Sequence, residues 1–138
     1  DSGGRFPMAT NARTSEEALD VLIPRYSADT GIFVCPGSKD SALPAGESLR
    51  KGRISYAYYM GRTASDGEQV LTSDKQVDTQ AKQAGDTVFS ENGKFPGNNH
   101  HKYGGTFLFC DGGMKSSPAK AALALPLATN VVLLNPKP

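Results

Sequence analysis

Two histidines, two cysteines and an Asp-Gly pair are the residues of this 138-residue chain whose types could do chemistry. His100 and His101 are adjacent, nine residues separate His101 from Asp111-Gly112, and Cys35 and Cys110 stand far apart. Thiol catalysis would recruit Cys35 or Cys110 as nucleophile, His101 as base and Asp111 to orient it. Both cysteines follow apolar runs, Ile32-Phe33-Val34 and Phe107-Leu108-Phe109, where burial raises a thiol's pKa and removes its reactive form. No serine elbow, phosphate-cradling glycine loop, zinc-type spacing or haem-attachment Cys-x-x-Cys-His accompanies them. The chain therefore reads as a non-enzyme with no cofactor.

A metal-dependent hydrolase is a more distant alternative. Neighbouring histidines on a strand point to opposite faces, so one ion would also need Asp111, brought back by a folded loop. The structural alternative is simpler: His101 hydrogen-bonds a turn carbonyl or Asp111 and fixes the approach of a hairpin. That role is the expectation, with no metal. Asp66 and the Asp74 to Asp78 region offer oxygens, but no calcium-loop run of alternating aspartates occurs, so these read as solvated loop carboxylates. Tyr56, Tyr58, Tyr59, Tyr103, Phe107 and Phe109 stand at strand spacing and read as packing rather than as a glycan platform.

The elements that must position these residues are short. Gly104-Gly105 leaves a loop, Thr106 to Cys110 reads as a buried strand, and Asp111-Gly112-Gly113 supplies the positive φ of a hairpin turn before Met114 to Ser116. Thr14-Ser15-Glu16-Glu17 has the form of a capping box and opens a helix from about Ser15 to Leu22, ended near Pro24. Gly31 to Cys35 reads as a strand and Ser38 to Gly52 as a surface loop. Arg53 to Met60 alternates with period two, and Gln69 to Thr72 could return antiparallel to it. Ser73 to Asp86 is a loop or a weak helix, Thr87 to Phe89 a short edge strand, and Glu91 to Asn99 a loop. Ser117-Pro118 starts a helix over Ala119 to Leu125, and Val131 to Leu134 is a strand or packed tail. The sum is one α+β domain with a small antiparallel sheet, short helices and long loops.

Composition narrows the partners. Fifteen Lys and Arg against fourteen Asp and Glu leave a net charge of +1 with the signs scattered, so neither nucleic acid nor an anionic membrane surface is favoured. Hydrophobic residues make up 38% and Trp is absent, which predicts a thin core. No apolar run approaches the ~18 residues of a membrane span, and Asp1-Ser2-Gly3-Gly4 is not an export signal.

Phe33-Val34-Cys35-Pro36-Gly37-Ser38, Ile54-Ser55-Tyr56-Ala57-Tyr58 and the spacing from His101 to Asp111-Gly112 occur in that order. The ordered set resembles the extracellular domains of type IV pilin-like proteins with an H-X9-DG segment, a branch of the pseudopilin and general-secretion G-type subunits. It runs from about Gly4-Arg5-Phe6-Pro7 to about Met114. Two departures stand out: family members commonly continue Asp-Gly-His-Val where this chain has Asp111-Gly112-Gly113-Met114, and the family's apolar N-terminal helix is missing.

The resemblance implies the globular head of an extracellular filament, a homo-oligomer that touches neighbouring heads and meets the membrane only through the missing helix. That helix would have been cleaved, truncated or encoded separately; in the last case the Ala121 to Leu134 region and Val21-Leu22-Ile23 are the expected docking surfaces. His101, Asp111 and Gly112 then mark a signature rather than an active site. The exported setting also implies a Cys35–Cys110 disulfide, closing a loop of roughly 75 residues and worth up to about 4 to 5 kcal/mol, against the alternative of two buried reduced thiols. The competing function is a secreted or surface module that binds a glycan or a protein.

Overall fold

The computed structural model describes residues 5–35, 40–76, 79–89, 105–117 and 127–137. The helix α1, Ser15–Leu19, is continued by a 3-10 turn over Asp20–Leu22, matching the expected span. Thr14 caps it by accepting the N–H of Glu17, and the Glu17 carboxylate accepts the N–H of Arg13 at 2.7 Å. Among the described residues five strands follow: β1 Tyr56–Met60, β2 Val70–Asp74, β3 Gly105–Phe109, β4 Met114–Ser117 and β5 Val132–Leu134. They form one antiparallel sheet in the order β4-β3-β2-β1-β5. The fold is small α+β.

Period-two alternation along β1 builds two apolar layers. Ala57 and Tyr59 face Val70, Val88, Phe89, Phe107, Val131 and Leu133. Tyr58 and Met60 face the other way, into Ala18, Leu19, Phe33, Leu49, Ile54 and Leu134. The first face is sealed by a chain segment in no strand, whose Val88 and Phe89 are fully buried, with the Phe89 ring 5.4 Å from that of Phe107. Here the expected edge strand over Thr87 to Phe89 is corrected: two consecutive residues that both insert into one layer cannot keep the alternation of a strand.

The expected strand over Gly31 to Cys35 is also corrected. Thr30–Phe33 is a 3-10 helix, because Asp29 accepts the N–H of Gly31 at 2.9 Å and the Thr30 hydroxyl donates to the Leu43 carbonyl. Local side-chain caps outweigh the strand propensity of Ile32 and Phe33. Between Val70 and Thr72 the register of β2 against β3 shifts, leaving Leu71 as the extra residue of a bulge. The expected helix over Ala119 to Leu125 and the loop over Glu91 to Asn99 lie outside the described residues.

Helix, sheet and C-terminal segment meet at Glu16, which is fully buried. Its carboxylate accepts the N–H of Ile54, just before β1, at 3.1 Å, and that of Lys137, after β5, at 3.1 and 3.2 Å. The N–H of Ser15 donates to the Asn135 carbonyl at 3.1 Å, and Asn135 exchanges side-chain bonds with the backbone of Gln76. Hydrogen bonds to a charged group in a low-dielectric site are worth about 1.5 to 3 kcal/mol each, and their loss strands buried donors. Glu16→Ala is expected to lower unfolding stability by about 3 kcal/mol in urea titrations, and Glu17→Ala by less than about 1 kcal/mol. Equal small losses would show that the buried carboxylate does not bracket the fold.

Candidate functional site

Pairing across the sheet aligns side chains in rows. One row on the α1 side is polar: Tyr56 pairs with Asp74, Asp74 lies beside Thr106, and Thr106 pairs with Ser116. The next row is mainly apolar: Tyr58, Thr72, Leu108 and Met114. α1 covers the β1 and β5 half of this face, and among the described residues an open groove lies over the rest. The groove holds about 610 Å³; Tyr56, Asp74 and Thr106 of the first row and the whole of the second form its floor, with Leu19, Leu22, Ile32, Phe33, Cys35 and Pro7 around it. Its rim is apolar and wet, with Ile32 58% and Met114 71% exposed. Sequence reasoning missed this groove.

The phenols respond to the apolar setting. Burial, and after it the Cys35 thiol and the Asp74 carboxylate, pushes Tyr56 up to about 12. Burial also raises Tyr58, whose hydroxyl donates to the Pro7 carbonyl at 2.5 Å and ties the N-terminal side of the chain to the groove. The Asp74 Oδ2 accepts the N–H of Thr106 at 2.8 Å, and a Cβ on Gly105 would fall 2.9 Å from the same oxygen. Only glycine permits that approach.

The Asp-Gly pair is turn chemistry. The Phe109 carbonyl accepts the N–H of Gly112 at 2.9 Å, the Gly113 carbonyl accepts the N–H of Phe109 at 2.8 Å, and Gly112 has φ +90°, which makes a three-residue loop with a glycine bulge. Asp111 Oδ1 accepts the N–H of Gly113 at 2.8 Å, so the carboxylate serves its own turn. The turn docks on the preceding loop through Cys110 N–H to Gln69 O at 2.9 Å and Asp111 N–H to Gly67 O at 3.1 Å. His100 and His101 lie outside the described residues. Among the described residues, no group of three or more His, Cys, Asp or Glu could hold a metal ion.

The expected Cys35–Cys110 disulfide is corrected, for the two thiols are not bonded to each other. The Cys35 N–H donates to Ser55 at 2.8 Å, beside the end of the sheet where Tyr56 meets Asp74. Cys110 sits at Gln69, before the opposite end of β2. Five residues of strand at about 3.3 Å each put those ends roughly 16 Å apart, and a disulfide needs Cα atoms within about 7 Å. Burial raises the Cys110 thiol, which disfavours the thiolate that catalysis would use. Of the expected docking surface over Ala121 to Leu134, residues 121–126 lie outside the described residues, and Val131, Leu133 and Leu134 are buried in the two layers; Leu22 lines the groove.

Compared with protein-family models, curated proteins and solved structures, the chain matches none of them.

Two outcomes follow from this geometry. Thiol titration of the purified, unreduced, denatured chain is expected to give two thiols, and a count of zero would restore the disulfide. A folded pKa above the unfolded value of about 10 means that Tyr56 stabilises the fold through its proton below pH 10 and loses this contribution as pH rises towards 12. Absorbance at 295 nm should therefore show a step near pH 12 that is missing in Tyr56→Phe, and a Tyr56 step at pH 10 would contradict the packed floor.

Proposed function

We propose that this chain is the globular head of a structural subunit in an extracellular filament of the type IV pilus or secretion-pseudopilus kind, and that its open groove seats an apolar helix belonging to the filament stem. The observation that carries the reading is the half-covered sheet. One face is sealed by residues of the chain itself, while the other presents Leu22, Ile32, Tyr58, Leu71, Leu108 and Met114 around a channel that no described residue fills. Helices that lie in such channels anchor through apolar residues at i, i+3, i+4 and i+7.

Pro7 borders the channel, so a helix supplied from the N-terminal side, in the same polypeptide or as a separate subunit, reaches it directly. The ordered Cys35, Tyr56 to Tyr58 and His101 to Asp111-Gly112 motifs support the same family reading. In such an assembly the helices form the filament core and identical heads repeat head to tail on its surface. A groove whose walls and half of whose floor are apolar suits such a helix better than a glycan, which would need many exposed donors and acceptors.

Ile32 and Met114 test this because they are rim residues, and charged replacements there should change stability by less than about 0.5 kcal/mol. Ile32→Arg and Met114→Arg are expected to melt like the parent yet to lose most of their incorporation into filaments, read by immunogold electron microscopy of producing cells. Full incorporation of both variants would remove the groove from assembly. A domain found only as a monodisperse, glycan-binding secreted monomer would favour the binding module instead.

A further inference from the structure

The geometry points to Met114 as a modification site: a peroxide converts its thioether to a sulfoxide, and the groove then loosens its hold on an apolar helix. This inference rests on the groove being a helix seat and adds how that seat is regulated. The chain has three methionines, and they stand in three different settings. Met60 is 8% exposed in the layer that packs on α1, with its sulfur accepting the Ala9 N–H at 3.5 Å. Met8 is exposed but does not line the groove. Of the three, only Met114 is both exposed, at 71%, and part of the lining. It opens β4, the outermost strand on its side of the sheet among the described residues, and pairs with Leu108. Its side chain therefore ends the row Tyr58, Thr72, Leu108 and Met114 at the wet rim.

An exposed sulfur needs no neighbouring acid or base for this chemistry. Its lone pair attacks one oxygen of hydrogen peroxide, the S–O bond forms as the O–O bond breaks, and the proton of the attacked oxygen passes to the departing hydroxide to give water. Sulfur gives up two electrons and the peroxide takes them. The product is polar and chiral where the thioether was apolar and adaptable. A helix lying over it would strip water from the new oxygen, and the row offers no donor in return. Leu108 has none, the Thr72 hydroxyl is given to the Ala57 carbonyl at 2.6 Å, and the Tyr58 hydroxyl is given to the Pro7 carbonyl. A buried acceptor without a donor is costly. The fold itself is spared, because a side chain this exposed adds little to its packing.

The test treats the folded chain with dilute hydrogen peroxide and maps methionine oxidation by peptide mass spectrometry. Fluorescence anisotropy then measures binding of a labelled amphipathic peptide with Leu at i, i+3, i+4 and i+7. Met114 is expected to gain one oxygen while Met60 keeps its thioether, and affinity is expected to fall roughly five-fold. Methionine sulfoxide reductases of both stereochemical classes should restore it, which separates Met114 from oxidation at Cys35, another lining residue. Each variant is compared with itself before treatment: Met8→Leu should lose affinity like the parent, and Met114→Leu should lose none. Equal losses in Met114→Leu and the parent, or no recovery with the reductases, overturn the inference. Should Met114→Leu fail to fold, recovery with the reductases on the parent decides. Affinity that survives complete oxidation of Met114 also overturns the inference and leaves the helix seat standing. A peptide that never binds the untreated chain overturns the seat itself, and the regulation with it.

Discussion

The buried Glu16 carboxylate brackets the helix, the sheet and the C-terminal segment of this small domain. Glu16 belongs to a five-residue helix, too short to be stable alone, and its oxygens take the backbone N–H groups of Ile54 and Lys137. Those two residues flank β1 and β5, so one side chain ties the helix to the sheet's start and to its last strand. With only 38% hydrophobic residues and no Trp, the fold relies on such satisfied polar brackets as well as on burial. The bracket has a geometric consequence. It pins α1 over β1 and β5, and among the described residues β2, β3 and β4 have an open groove on that side.

The two faces of the sheet differ for that reason. On the sealed face, Val88 and Phe89 fill the layer, and Arg62 lies 5.1 Å over the ring of Tyr59 with its Nε on the Val70 carbonyl at 2.7 Å. On the open face, the bulge at Leu71 adds an apolar side chain to the channel, and nothing described in the chain fills it. Exposed apolar area that is contiguous and concave signals a binding surface more strongly than scattered exposed residues do. A passive, assembly-directed role needs only this surface and a rigid sheet behind it.

Local rules explain what was legible in the sequence. Period-two alternation revealed β1, Thr14 and Glu17 revealed the helix start, and Asp111-Gly112 revealed the hairpin turn whose hydrogen bonds the structure displays. The misses needed long-range geometry. Glu16 reads as an ordinary first-turn acid until Ile54 and Lys137 are brought to it. Ile32 and Phe33 have strand propensity, and only the Asp29 cap and the bond from Thr30 to Leu43 make them helical. The thiols of Cys35 and Cys110 follow similar apolar runs but end at opposite edges of the strands, a distinction that depends on register. The groove arises from how four strand rows align, which no single segment encodes.

The central claim is that the open sheet face, and not the sealed one, receives an apolar helix. Methyl chemical-shift mapping during titration with an apolar helical peptide tests it most directly. Shifts confined to Leu22, Ile32, Leu71 and Leu108, with Val88, Val131 and Leu133 unmoved, are the predicted result. Shifts centred on the sealed layer, or none at saturating peptide, would contradict the account.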